Sequence, residues 1–331
     1  MMYPLHCRSF RTTSLALALS CGSLAPAAAE TPAGWVEPVY RVAYETEAAT
    51  GPTPQQGPAP QQAPAAAASP APAQVASRIV QPMSPPPAFN LEQLPGEHPL
   101  MPALRVAQEG VQHIDQTIRD YSAILYKQER IDGELGDQEV AFIRVRHQPF
   151  AVHMFFLAPN KGRECLYLDG LNGEKGVLHA RDCGFRRKLG VFKLDPDGRL
   201  AMAGQKYPIT KVGIRNLTTE LIAVASNDVN YGECEVRTAQ TEIGPANGEK
   251  RPVTLIEVIH PTPRRNFRFH KAQIFIDNEL RVPIRYASYM WPERAGEQPP
   301  LEEAYTYLNL KLNNGFTDAD FSPENPELFK D

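Results

Sequence analysis

Four acidic side chains in the stretch RIDGELGDQE, Asp132, Glu134, Asp137 and Glu139, lie close enough in sequence to converge on a calcium ion or to work as an acid–base pair. Gly133 and Gly136 between them favour a solvated hairpin tip instead, with the carboxylates facing water. Four histidines, His153, His179, His260 and His270, fall on separate predicted strands, with no spacing that ties them into a metal site. The chain has no Gly-x-Ser-x-Gly elbow, no glycine-rich phosphate loop, no His-Glu-x-x-His helix and no calcium-loop motif. No catalytic residue, metal ligand or cofactor is therefore assigned.

The strongest local charge lies in PRRNFRFHK, where Arg264, Arg265, Arg268 and Lys271 alternate with Phe267 and Phe269. Such a pattern suits an anionic lipid headgroup or an envelope glycan, or an edge strand that charge protects from pairing with other chains. A net charge of −4 gives no global reason to bind nucleic acid.

The first residues place Arg8 and Arg11 before an apolar run from Leu15 to Leu24, then Ala27, Ala28 and Ala29 before Glu30. This is the pattern of a secretory signal peptide over 1–29, and the run falls short of the ~20 apolar residues that span a bilayer. The expected location is the periplasm or cell envelope; a lipoprotein anchor at Cys21 is the rival, with Ala18 where a large aliphatic residue is wanted. Residues 30–88 are rich in Pro, Ala and Gln and read as an extended linker that cannot bury enough surface to order itself. One domain follows, 89–331. Its cysteines, in an oxidising compartment, are either three inert thiols or one bridge, Cys165 to Cys183, with Cys234 free.

Apolar residues from Leu100 through Leu104, Val111, Ile114 and Ile118 to Tyr121 recur at the helical period. A second helix is predicted from Lys211 to Ala225 after Thr210. About ten strands fill the rest, among them AFIRVRH, FAVHMFFL, RECLYLDG, RLAMA and AQIFID, broken by Gly, Asn and Pro. The fold class is α+β: a large curved antiparallel sheet, a half-open barrel, with helices on its concave face.

Alternation assigns the faces. Ile143 and Val145 oppose Arg144 and Arg146, and Val152, Met154 and Phe156 continue the apolar set on a strand that is also greasy at Phe155. Leu166, Leu168, Ile274 and Ile276 are placed on the same inner face. One helix stripe does not cover so much apolar surface, so these nine residues are expected to line a ligand cavity, with Arg264, Arg265, Arg268 and Lys271 as candidates for an anionic headgroup.

The stretches RHQPFAVHMFFLAPNKGRECLYLDG, LDPDGRLAMAGQKYPITKVGIRNLTTELI and YTYLNLKLNNGFTDADFSPENP resemble the bacterial family called domain of unknown function 1571, found in secreted proteins, over roughly Leu100 to Phe329. More distantly, the element order and the closing NLKLNNG…DADF are similar to the lipoprotein-carrier superfamily. That resemblance implies an incomplete barrel around an apolar cavity for acyl chains, and no residue with a catalytic role.

The expected function is non-catalytic binding of a lipid or a lipidated protein by an exported monomer. The alternative is a tethered envelope module, structural or sensory, that binds a protein partner through a packed domain. A hydrolase comes third and would need carboxylates converging in a cleft. Nucleic acid is not an expected partner.

Overall fold

The computed structural model describes residues 89–170, 174–245, 248–294 and 296–330. The segments predicted as signal peptide and linker, 1–29 and 30–88, lie outside the described residues, as do Cys7 and Cys21. Helix α1 (Met101–Thr117) starts with Pro102 in its first turn, where a missing N–H costs nothing. It is shorter than its apolar stripe predicts. Ile118 turns extended, and Tyr121 already belongs to the first strand.

The strands follow in chain order: β1 (Asp120–Ile131), β2 (Glu134–Leu135), β3 (Glu139–Arg146), β4 (Ala151–Ala158), β5 (Glu164–Leu168), β6 (Val177–Arg181) and β7 (Phe192–Leu194). Helix α2 (Ile214–Asp228) comes next, then β8 (Glu235–Ile243), β9 (Arg251–Ile259), β10 (Lys271–Asp277), β11 (Pro283–Tyr289) and β12 (Leu301–Leu312). They make one antiparallel sheet in the order β7-β6-β5-β4-β3-β1-β12-β11-β10-β9-β8, with β2 hanging from β1. β7 and β8 are its two edges, so the barrel stays open. The chain first builds one half outward from β1, then returns through α2 to build the other half inward to β12, which closes against β1.

Two sequence expectations change here. Arg199 to Ala203, predicted as a strand, forms turns. α2 begins three residues later than Lys211, after Gly213 at φ +116°. A Cβ at 213 would stand 3.0 Å from Tyr121 Oη, which accepts no such neighbour because it receives the Ile214 N–H at 3.0 Å. Glycine there is what lets α2 start against the floor of the sheet.

Cross-strand register sorts the inner face into rows. Tyr121, Val145, Val152, Tyr167, Leu178 and Leu194 form one row across six strands, and Ala123, Ile143, Met154, Cys165, Ala180 and Phe192 form the next. Ile114 and Ile118 at the end of α1 and Ile214 at the start of α2 pack with Tyr121, Ile143, Val145 and Val152 in the main core. A second cluster joins Phe89, Leu100 and the α2 residues Leu217, Leu221 and Val224 to Ile256, Val258, Ala272 and Ile276.

The outer face of β4 and β5 is covered too. The chain after β12 turns at Asp318–Phe321, a single helical turn capped by Thr317 and Asp320, and packs Phe321 and Leu328 on Ala151 and Leu166. This is why β4 is apolar on both sides.

Candidate functional site

Between the inner face and α2 lies a cavity of about 960 Å³, at the upper end of the range for small-molecule sites. One wall is the sheet: Leu125, Met154, Phe156, Cys165, Leu178, Ala180, Phe192 and Leu194. The facing wall is Leu217, Leu221 and Val224 of α2 together with Leu200, Ala201, Pro208, Ile209 and Val212 from the connection after β7. Phe269, Tyr286, Tyr305 and Tyr307 close the side toward the second half of the sheet.

The predicted lining residues divide into four groups. Met154 and Phe156 line the cavity. Ile143, Val145 and Val152 share their face but are covered by the ends of α1 and α2, so they belong to the packed core. Leu166 and Leu168 lie on the opposite face: Val152 pairs with Tyr167 and His153 with Leu166, one residue out of the expected phase. A slip of one residue sends a whole strand's side chains to the other side. Ile274 and Ile276 pack into the second cluster and do not reach the cavity.

Where β1, β3, β11 and β12 end on one side of the sheet, the apolar wall gives way to charge. Lys127 Nζ lies 2.8 Å from Glu139 and 3.3 Å from Glu129, and donates to Gln205 at 2.5 Å. Glu129 stands directly across from Glu303, a pairing of like charges that is unfavourable by itself. Tyr305 relieves it, donating to Glu129 at 2.7 Å and lying 3.3 Å from Glu303, while Lys206 Nζ sits 2.6 Å from Glu302 and 3.2 Å from Glu303. Burial, reinforced by Glu303 and Glu129, pushes the Tyr305 hydroxyl far above its ordinary range, and burial does the same for Tyr286 and Tyr207. These phenols remain hydrogen-bond donors. Sequence reasoning overlooked this rim, although Leu125, Lys127 and Glu129 share the phase of Ala123.

Of the acidic hairpin, Glu134 is exposed at the tip, whereas Glu139 leaves the group and turns toward Lys127. Among the described residues no three of His, Cys, Asp or Glu stand where they could hold a metal ion. His153 is held by Glu164 at 2.8 Å, and His260 lies 3.2 Å from Asp228 while stacking on Phe267 at 3.8 Å.

The basic stretch is not an edge strand: residues 263–270 form the connection from β9, and Lys271 opens β10, which sits between β9 and β11. Phe267 and Phe269 are buried packing residues. Arg264 pairs with Glu233, Lys271 lies 4.7 Å over the Tyr289 ring, and Arg265 is exposed. Arg268, paired with Glu220 at 2.6 Å, is the one of the four that lines the cavity.

Cys165, Cys183 and Cys234 are all free, which corrects the bridge. The cross-strand neighbour of Cys165 is Ala180, three residues short of Cys183, and the Cys165 thiol faces the cavity. Burial pushes the Cys165 and Cys234 thiols up to about 12, so they are poor nucleophiles. Denaturation without reductant is expected to expose both Cys165 and Cys183 to iodoacetamide, read by peptide mass spectrometry. A disulfide-linked peptide containing both would contradict this.

No curated protein matches the chain. Solved structures similar to it include the lipoprotein LppX of Mycobacterium tuberculosis, at 12% identity over 66% of this chain and 98% of that one, TM-score 0.35. A putative outer membrane lipoprotein-sorting protein domain from Vibrio parahaemolyticus is similar at 12% identity over 66% of this chain and 95% of that one, TM-score 0.32. A DUF1329 family protein from Desulfovibrio piger is similar at 11% identity over 68% and 98%, TM-score 0.33. Residues 118–328 match the sequence profile of the family described as "Protein of unknown function (DUF1571)", and the chain belongs to that family.

Proposed function

We propose that this domain is an exported, non-catalytic binding protein that holds a lipid-like or acylated ligand between the sheet and α2. The observation that carries it is the cavity itself: apolar side chains on both the sheet wall and the α2 wall, with the charged side chains of the rim, and others such as Arg163, Arg186 and Glu220, around them. An acyl chain would gain about 0.8 kcal/mol per methylene withdrawn from water. Its polar end would meet the carboxylates, lysines and tyrosine hydroxyls of the rim, and Arg268 beside them. A ligand of this kind also fits the nine-residue set only in part, through Met154 and Phe156.

The convergence of Glu129, Glu139, Glu302 and Glu303 favours a second reading, acid–base chemistry on a bound ligand. It is the weaker of the two, because Lys127, Lys206 and Tyr305 already engage these carboxylates. The partner-module reading requires an interior filled by side chains, and a cavity of about 960 Å³ does not favour it.

Native mass spectrometry of the chain purified from its own cell envelope is the test. The expected result is a bound mass that organic extraction removes and identifies as a lipid or acyl species. The bare chain mass in repeated preparations would overturn the proposal.

A further inference from the structure

Isolated apolar side chains on a surface are ordinary, but a cluster is not. Among the described residues ten large apolar side chains are exposed, and five of them, Phe185, Leu189, Val191, Phe192 and Leu200, lie within residues 185–200. Phe185 is 82% exposed, Leu200 73% and Leu189 65%. Phe185 and Leu189 stand on a helical turn, Gly184–Leu189, beside the edge strand β7. Phe192 and Leu200 also line the cavity, so the patch continues the cavity wall outward.

The same segment is basic. Arg186, Lys188, Lys193 and Arg199 are exposed. The acids among them are Asp195 and Asp197, both held by Lys175 at 2.5 and 2.7 Å, while Asp182 lies 3.1 Å from Arg163 and only 3.7 Å from Arg186. In a chain of net charge −4, one surface thus presents cations interleaved with protruding Phe and Leu. That chemistry matches the boundary of an anionic bilayer, where phosphate groups attract the cations and the apolar side chains reach the acyl region.

We infer that residues 184–200 dock the domain on the surface of an anionic lipid bilayer, with the cavity rim at β7 turned to the membrane. The inference deepens the carrier proposal by naming the surface from which a ligand would enter, yet it concerns the patch and not the contents of the cavity.

The test uses the full chain carrying Phe185→Trp, with vesicles of phosphatidylcholine alone or mixed with phosphatidylglycerol, some bearing brominated acyl chains. A reporter at 185 sees its own surroundings whatever the N-terminal residues do. The expected result is a blue shift and bromine quenching beyond the wild-type signal of Trp35 and Trp291, in the phosphatidylglycerol vesicles. Adding Arg186→Glu and Lys188→Glu should weaken that response roughly tenfold, with the melting temperature unchanged because both side chains are exposed. Absence of quenching at 185 would overturn the inference. So would a blue shift that depends on protein concentration without vesicles, which would mark a second copy as the occupant. Because no cavity ligand enters this assay, its failure leaves the native mass result standing, and the reverse.

Discussion

Phe321→Ala is expected to lower stability by about 3–5 kcal/mol, as deletion of a fully buried aromatic side chain does. Phe321 is 0% exposed and ends the last helical turn of the described residues. It closes the outer face of β4 and β5 over Ala151 and Leu166, meets Phe316 edge-on at 5.9 Å, and lies 5.2 Å below the Arg146 guanidinium. Arg146 in turn reaches Asp318 at 2.7 Å, so the turn is held at both ends. Further along, the Phe329 N–H donates to Glu164 at 2.9 Å, and Glu164 also binds His153. Burial raises the Glu164 carboxyl, but these hydrogen bonds win and hold it below its ordinary range. A carboxyl depressed in the folded state contributes stability that is complete above its unfolded pKa and is lost as pH falls through the lowered folded value. Acid should therefore loosen the tail, and urea melts at several pH values would show it. A penalty for Phe321→Ala below about 1 kcal/mol would mean the tail is peripheral, in the range of surface substitutions.

Lys127→Met should cost about 3–5 kcal/mol, because it strands buried carboxylates without their cation. Lys127 and Glu129 are both buried, and Glu139 beside them is nearly so. The loss is electrostatic and not volumetric, since methionine keeps most of the stem. Lys127→Met combined with Glu139→Gln should therefore recover part of the loss, a coupling read from a double-mutant cycle in urea. A single-variant cost below about 1 kcal/mol would place the cluster among ordinary surface pairs.

Strand phase was legible wherever a strand has one polar side. Ile143 and Val145 against Arg144 gave the inner face of β3 correctly. Leu166 was not legible, because the phase of β5 depends on how the Pro159 to Gly162 turn sets its register to β4, and both faces of β4 are apolar. Tyr121 extended the α1 stripe only because an inward strand residue happened to fall at the next helical position. The charged rim was hidden for a different reason: Lys127, Glu139 and Glu303 come from three strands, and only their pairing brings them together. The α2 residues that face the cavity read as an ordinary apolar stripe, which they also are.

Whether the cavity receives an apolar ligand is decided most directly by titrating a fluorescent fatty-acid probe into wild type and into Ala180→Trp. Ala180 lines the cavity beside Cys165, so tryptophan there fills space without removing a core contact. Wild type should bind the probe saturably with a blue-shifted emission, and Ala180→Trp should lose that binding while keeping the wild-type melting transition. Probe uptake absent from wild type, or equal in the two proteins, would contradict the account.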